Sequence, residues 1–334
     1  MMHIPENTRR IAGALALAGL ASGLVACSDE PEVTVGLITK QEVNPYWVTM
    51  RQVAEETAED NNVELLTATG TSDVDVESQV RALEQMVADG AKGILIAPTN
   101  STELMPAIEA ARQVGVLVIA VDTPVDPPDA VDAFFATDNV EAGRLIGQYA
   151  AVKAQELGLD PKIAMLDLAP GISSGELRHE GFLEGFGLSE DDPAVVATAD
   201  TEGDRELAEA RMAEILSQTP EVNIVYTVNE AAALGALDAL EEADADLDRT
   251  ILVSVDGGCR AMKNAVRPGE IDATAMQFPA NMAREGVRSL VTAIREGEPL
   301  DGNLDTGVRL VTGDPASGVA SNDVAYGIRN CWGD

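Results

Sequence analysis

The chain has 334 residues, of which 46% are hydrophobic, and a formal net charge of −35 at pH 7. This composition excludes an intrinsically disordered chain, and the length is sufficient for two domains, each with its own core. A surface this acidic repels phosphate backbones, so nucleic acid is not an expected partner.

The first segment of the chain carries export features. Arg9 and Arg10 precede a short apolar run over residues 11–24, which is too short for a comfortable transmembrane helix and is typical of a signal peptide. The following residues 24–27, LVAC, resemble a lipobox and predict cleavage before Cys27 and lipidation of that cysteine. A cleaved soluble signal with a chance cysteine is the alternative.

Beyond this segment, predicted strands alternate with predicted helices. Apolar, β-rich runs predict strands at 33–38, 63–67, 93–97, 116–121, 162–168, 223–228, 250–255 and 271–276. Helical patterns lie between them at 46–60, 76–89, 101–114, 140–157, 176–187, 204–218, 230–242, 259–266 and 280–296. Continuous apolar strands alternating with helices indicate parallel sheets covered on both faces. Two doubly wound domains fit this number of strands better than one sheet, and a (β/α)8 barrel is the rival architecture.

A domain boundary is predicted within residues 121–139. Three prolines and several aspartates interrupt the alternation there, and a short strand-like segment, AFFAT, leads into a new helix. We therefore place a hinge crossing near residues 137–139.

Polar and aromatic side chains follow the carboxyl ends of most of the predicted strands, which is the edge where ligands bind in open α/β sheets. These side chains are Asn44, Tyr46, Trp47, Asp122, Arg178, Asn229, Asp256 and Gln277. Carboxylate, amide and guanidinium groups engage neighbouring sugar hydroxyls, and an aromatic ring packs against the C–H face of a sugar. The set therefore predicts a sugar site in a chain that is only 3% aromatic.

Each of these residues also has a purely structural interpretation. Asp122 and Asp256 precede turn-forming residues and are candidates for helix caps or turns, and Arg178 is a candidate for pairing with a glutamate on its own helix. Tyr46 and Trp47 are candidates for filling the edge of a sheet. Their positions at successive strand ends favour the binding interpretation.

Other classes of site find little support. His179 is the one histidine beyond the signal segment, which disfavours histidine-based metal sites, and no phosphate-binding glycine motif opens the first helix, so we expect no metal and no cofactor. Residues 171–175, GISSG, match the nucleophile elbow of serine hydrolases through Ser173. That fold needs a histidine late in the chain, after the acid, and none is present; Cys259 as a nucleophile lacks a placed histidine for the same reason.

Two cysteines remain once Cys27 is assigned to lipid. Cys259 and Cys331 form an even pair in an exported, oxidising context, and we predict a disulfide between them that ties the C-terminal tail to the loop after a late strand.

Several motifs together resemble a known family. GLITKQEVNPYW, GILIAPTNS, VLVIAVDTP, FATDN, RHEGFLEGF, VYTVNEAAALGAL, VSVDGG and IDATAMQFP are similar to the type I periplasmic binding proteins of sugar ABC importers, in the ribose-binding group. The segments GLITK, DTPVDP, LDLAPGIS, RHEGFLEGFG, VSVDGGCR and CWG look more like fructose-binding members than ribose-binding ones.

The resemblance implies two Rossmann-like lobes with parallel sheets, joined by a three-strand hinge and closing around a monosaccharide, with fructose favoured. It implies a monomeric binding protein without enzymatic activity that docks on permease subunits driven by a cytoplasmic ATPase. We expect it to be exported and lipid-anchored on the outer face of the cytoplasmic membrane or in the periplasm. The expected divisions are a signal peptide at 1–27, a tether at 28–32, a first lobe at 33–138 plus 278–307, and a second lobe at 139–277 plus 308–334.

The resemblance carries over to the eight strand-end residues, with departures. Ribose-binding members have arginine, asparagine, an aromatic residue and aspartate where this chain has Thr123, Ala97, Val255 and Glu230. These losses argue against ribose, and Lys40 is a candidate replacement contact. A receptor for a polyol or signalling ligand that feeds a chemoreceptor or sensor kinase is the alternative function. A DNA-binding repressor is disfavoured because a signal peptide occupies the place of its helix-turn-helix.

Overall fold

The computed structural model describes residues 33–300 and 302–333. The predictions for the signal peptide, Cys27 and the tether lie outside these residues. No helix in the described part is long and apolar enough to cross a membrane.

The first sheet has six strands that all run parallel. Its spatial order is β11-β5-β4-β3-β1-β2. The strands are β1 (Thr34–Thr39), β2 (Glu64–Thr69), β3 (Gly93–Ile96), β4 (Leu117–Val121), β5 (Ala133–Ala136) and β11 (Asn303–Asp305).

The second sheet also has six strands, in the order β12-β10-β9-β8-β6-β7. All neighbours run parallel except β12, which pairs antiparallel with β10. The strands are β6 (Ile163–Asp167), β7 (Val195–Asp200), β8 (Ile224–Thr227), β9 (Ile251–Asp256), β10 (Ala273–Met276) and β12 (Arg309–Thr312). The described residues therefore form two open sheets, as the preferred prediction has it, and not the (β/α)8 barrel that was the rival architecture.

Helices cover both faces of both sheets, and we call each sheet with its helices a lobe. In the first lobe, α1 and α9 pack on one face of the sheet and α2 and α3 on the other. In the second lobe, α4 and α5 cover one face and α6 and α7 the other. The helices are α1 (Pro45–Asp60), α2 (Val76–Ala88), α3 (Met105–Gln113), α4 (Asn139–Leu157), α5 (Ser173–Phe186), α6 (Arg205–Gln218), α7 (Glu230–Glu242), α8 (Cys259–Ala261), α9 (Pro279–Glu296) and α10 (Val324–Asn330).

The chain passes between the two lobes three times. It leaves the first sheet after β5, returns after β10, and crosses again between β11 and β12. The first crossing lies at residues 137–138, within the predicted hinge segment. Three neighbouring connections allow the lobes to rotate as bodies while the sheets stay intact.

Some elements were missed by the sequence patterns. The edge strand β7 has no fully buried residue, so its apolar alternation is weak, and β11 has only three residues, all exposed. The helix predicted from residue 101 begins instead at Met105, because residues 101–104 form turns ahead of Pro106. The short α10 was not predicted.

Candidate functional site

Most of the predicted site residues meet in one cavity between the lobes. The predicted residues that line it are Lys40, Asn44, Tyr46, Trp47, Asp122, Arg178, Asn229 and Asp256. Gln277 does not line the cavity itself but hydrogen-bonds to two of the residues that do. The cavity also takes in three residues that the sequence reasoning missed, which are Asp73, Leu168 and Ser174.

Arg178 is the central cation of the second lobe. It sits in α5 and is 4% exposed, and its three nitrogens donate to Asn139 Oδ1 at 2.7 Å, Val228 O at 3.0 Å and Gln277 Oε1 at 3.1 Å. Its guanidinium also lies 3.8 Å from Asp256 Oδ1. Arg178 therefore does not pair with a glutamate on its own helix, and its planar fork is fixed from three sides.

Asp256 ends β9 and faces Arg178. Its Oδ1 accepts a 2.6 Å hydrogen bond from Gln277 Nε2, and its Oδ2 accepts one of 3.1 Å from the backbone N–H of Glu230. Its φ of 108° is strained for a non-glycine residue, a feature that concentrates at functional sites. Burial raises the pKa of the Asp256 carboxyl, and Arg178 opposes this effect by favouring the charged form.

Asp122 is the corresponding carboxylate of the first lobe. It directly follows β4 and, like Asp256, has a positive φ, here 65°. Its Oδ1 accepts from Tyr46 Oη at 2.8 Å, and its Oδ2 accepts from Thr123 Oγ1 at 2.8 Å. Lys40 Nζ donates to that same threonine oxygen at 2.9 Å and lies 3.8 Å from Asp122 Oδ2. Arg178 Nη2 reaches Asp122 Oδ1 at 3.9 Å from the other lobe.

Tyr46 and Trp47 line the cavity and form an aromatic cluster with Trp332. The Tyr46 ring makes edge contacts with Trp47 and Trp332, with ring centroids 4.7 and 5.1 Å apart. Burial and the nearby Asp122 raise the pKa of Tyr46 well above its usual value, so its hydroxyl remains a donor. Trp332 was not predicted, and its Nε1 donates to Gln277 O at 3.1 Å.

Two of the predicted asparagines also cap helices. Asn44 Oδ1 accepts from the backbone N–H of Tyr46 at 2.9 Å at the start of α1. Asn229 Oδ1 accepts from Ala232 N at 2.8 Å at the start of α7, while its Nδ2 donates to Gly203 O at 3.1 Å. Capping fixes both side chains at the cavity edge.

Direct hydrogen bonds join the lobes beside the cavity. Ser101 Oγ and Ser173 Oγ lie 2.5 Å apart, and Ser173 Oγ also donates to Pro124 O at 3.0 Å. Ser174 Oγ lies 2.9 Å from Thr123 Oγ1. The GISSG segment therefore makes contacts between the lobes of a closed conformation.

The geometry of Ser173 does not match that of a hydrolase nucleophile. His179 holds Asp167 through Nδ1 and Glu190 through Nε2, each at 3.0 Å, so both ring nitrogens already have partners other than Ser173. Among the described residues, no group of three or more His, Cys, Asp and Glu side chains is arranged to hold a metal ion.

The two late cysteines are bonded in the structure. Cys259 and Cys331 have Cα atoms 4.8 Å apart and form a disulfide across 72 residues of sequence. The bond holds the tail so that Trp332, the next residue, packs against Tyr46. The C-terminal tail thereby supports Tyr46, which lines the cavity.

Asp73 is the most informative of the missed residues. It lies in the loop between β2 and α2, is 4% exposed, and reaches the cavity from the first lobe. The predicted site residues were chosen because they follow the carboxyl ends of predicted strands, and Asp73 follows β2 in the same way. The segment TGTSDVD after that strand was the available signal.

Comparison with known proteins agrees with this architecture. A family model described as a periplasmic binding protein domain matches residues 35–299. The ribose import binding protein of Bacillus subtilis is 28% identical over 269 residues, covering 77% of this chain and 84% of that protein. The D-allose-binding periplasmic protein of Escherichia coli is 28% identical over 274 residues, covering 79% and 86%.

A solved structure is similar over most of both chains. The carbohydrate transporter solute-binding protein from Agrobacterium radiobacter, in complex with D-arabinose, superposes with a TM-score of 0.77 at 26% identity, covering 86% of this chain and 96% of that one. The family model spans well over half of the sequence, and both sheets have the expected parallel arrangement apart from the antiparallel edge strand β12. This chain therefore belongs to the periplasmic binding protein family, with the type I architecture, and is a binding protein rather than an enzyme.

Proposed function

We propose that this protein binds a neutral monosaccharide between its lobes and delivers it to an ABC importer. The observation that carries this proposal is the convergence of Arg178, Asp256 and Gln277 from one lobe on Asp122 and Lys40 from the other. These groups offer paired donors and acceptors at fixed angles, which suits a ring of hydroxyls that each donate and accept.

The charge of the cavity favours a neutral ligand. Three carboxylates line it, from Asp73, Asp122 and Asp256, against two cations, from Lys40 and Arg178. The cations already lie beside carboxylates or donate to oxygen atoms, so a phosphate or carboxylate on the ligand would meet uncompensated negative charge. Sugar hydroxyls carry no such penalty.

Binding operates through closure, without a chemical step. We assign residues 33–138 and 278–307 to one lobe and 139–277 and 308–334 to the other, hinged at the three crossings. A sugar that contacts both lobes makes all of its hydrogen bonds only in the closed form, so it shifts the population toward that form. The closed form is then the one that docks on the permease, and we expect the protein to act as a monomer.

The identity of the sugar is narrowed by sequence alone. Thr123, Ala97 and Val255 replace three ribose contacts of the family, and motifs such as GLITK and VSVDGGCR resemble fructose-binding members. We therefore favour D-fructose. The relatives from Bacillus and Escherichia are named for ribose and D-allose, and the Agrobacterium protein was solved in complex with D-arabinose, so these sugars are the first competitors to test.

A thermal-shift screen of the purified protein tests the proposal. D-fructose, D-ribose, D-allose, D-arabinose and myo-inositol are compared, with D-fructose 6-phosphate as the charged match for fructose. A ligand in thousandfold excess over its Kd stabilises the fold by about 4 kcal/mol, so one neutral sugar is expected to raise the melting temperature clearly while the phosphate does not. A shift with myo-inositol alone indicates a polyol receptor, and no shift with any neutral sugar contradicts the proposal.

We also propose that the protein is exported and anchored through lipid on Cys27. The support is the signal-like run at 11–24 and the LVAC segment that ends at this cysteine. Expressed in cells, the wild-type protein is expected in the membrane fraction and the Cys27→Ala variant in the soluble extracytoplasmic fraction. Equal membrane retention of both would rule out the lipid anchor.

A further inference from the structure

Three polar groups of the first lobe are left short of partners at one side of the cavity. Asp73 Oδ1 accepts a 2.8 Å hydrogen bond from Gln41 Nε2. Among the residues that the structure describes, Gln41 Oε1 and Trp47 Nε1 are buried without any hydrogen-bond partner. Buried polar atoms of folded proteins are almost always paired, so these orphans mark a place where a ligand supplies the missing groups.

The carboxylate of Asp73 is also poorly compensated. Burial raises its pKa, and the opposing influence of Lys40 is smaller. The Lys40 amine donates instead to Thr123 Oγ1. Gln41 and the nearby Trp47 indole also lower the pKa of Asp73, but both are neutral donors. A buried carboxylate without a charged donor in contact is costly to keep unless further donors reach it.

Asp73 faces the opposite lobe across the cavity. A Cβ atom on Gly203, which has a φ of +69°, would stand 3.3 Å from Asp73 Oδ2 and 2.7 Å from Asn229 Nδ2. The same Cβ would stand 2.8 Å from Leu168 Cδ2, so the second lobe packs closely against this side of the Asp73 carboxylate and has room for a glycine but for no larger residue. Gln41 and Gly203 also line an adjoining, larger pocket at this seam.

We propose that Asp73, Gln41 and Trp47 form a hydroxyl-binding subsite that recognises one end of the bound sugar. This inference rests on the proposed function and extends it to specificity. One hydroxyl accepts from Trp47 Nε1 and donates to the Asp73 carboxylate, and a neighbouring hydroxyl donates to Gln41 Oε1. The preferred ligand chemistry is an uncharged pair of adjacent hydroxyls, and a deoxy or anionic group at this end is rejected.

The test compares Asp73→Asn with Glu77→Gln. Both changes remove one negative charge near the start of α2, but the Glu77 side chain is 85% exposed and pairs with Arg81 at the surface. The titrants are the neutral sugar that gives the largest thermal shift and each of its monodeoxy analogues. We expect the Kd of the parent sugar to rise at least tenfold in Asp73→Asn and to change less than twofold in Glu77→Gln.

The deoxy series separates recognition from a structural role. One analogue is expected to bind the wild type at least tenfold more weakly than the parent sugar. The affinity of this analogue is not expected to fall further in Asp73→Asn, because it lacks the hydroxyl that contacts Asp73. The variant Gln41→Leu keeps the Asp73 carboxylate and is expected to lower the affinity for the parent sugar several-fold. It replaces Asp73→Asn in the test if that variant does not fold.

The failures are distinguishable. If the wild type binds a sugar and neither Asp73→Asn nor Gln41→Leu weakens it, the subsite is overturned while the proposed function stands. For each deoxy analogue, the affinity relative to the parent sugar is compared between the wild type and Asp73→Asn. If this ratio is the same in both proteins for every analogue, Asp73 acts through structure and the inference is wrong. If no sugar binds to the folded wild type, the proposed function fails and the subsite fails with it.

Discussion

Replacement of Arg178 by alanine is expected to abolish sugar binding, with the Kd raised at least a hundredfold. The guanidinium is the cation that lies within 4 Å of a carboxylate from each lobe, at 3.8 Å from Asp256 and 3.9 Å from Asp122. Each charge-assisted hydrogen bond to a ligand contributes about 1.5–3 kcal/mol. Two such bonds therefore correspond to roughly 3–6 kcal/mol, or a factor of about 10² to 10⁴ in affinity.

The matched control is Arg211→Ala, which removes the same charge from the second lobe. Arg211 lies on α6, is 47% exposed and pairs with Glu214 at the surface, so its loss is expected to leave affinity unchanged. Arg178→Lys keeps the charge but not the planar fork, so partial recovery is expected. Titration calorimetry measures the affinities, and circular dichroism confirms that each variant is folded. Wild-type affinity in folded Arg178→Ala would remove this residue from the site.

The strand-end rule explains why much of the site could be predicted from sequence. In a parallel sheet the carboxyl ends of all strands meet at one edge, so Asp122 after β4 and Asp256 at the end of β9 had to lie close to their neighbours' loops. Two such sheets facing each other bring both sets together. Arg178 could be predicted as a site residue because α5, which carries it, begins at this same edge of the sheet, directly after β6.

The features that the sequence patterns missed, in and around the site, depend on tertiary contacts that no local pattern encodes. Trp332 arrives from the C-terminus, where the disulfide and packing against Tyr46 fix it. Asp73 shares its loop with Asp75, whose carboxylate caps α2 instead of facing the cavity, and sequence does not say which of the two points inward. The edge strand β7 was missed because solvent covers part of every residue in it.

The interlobe contact between Ser101 and Ser173 offers a direct way to trap the bound sugar. Their hydroxyl oxygens lie 2.5 Å apart in the closed form, and neither residue lines the cavity. A disulfide in the variant Ser101→Cys/Ser173→Cys would lock the lobes together. The sugar favours closure, so we expect it to accelerate this cross-link.

Retention of radiolabelled sugar after oxidation of this variant tests the central claim, binding between the lobes, most directly. The sugar is the one selected by thermal shift, and each single-cysteine variant serves as the control. We expect about one sugar per chain to remain bound to the cross-linked protein during gel filtration and to dissociate after reduction. Both single-cysteine controls are expected to lose the sugar during gel filtration. Free exchange of sugar in fully cross-linked protein would contradict binding between the lobes.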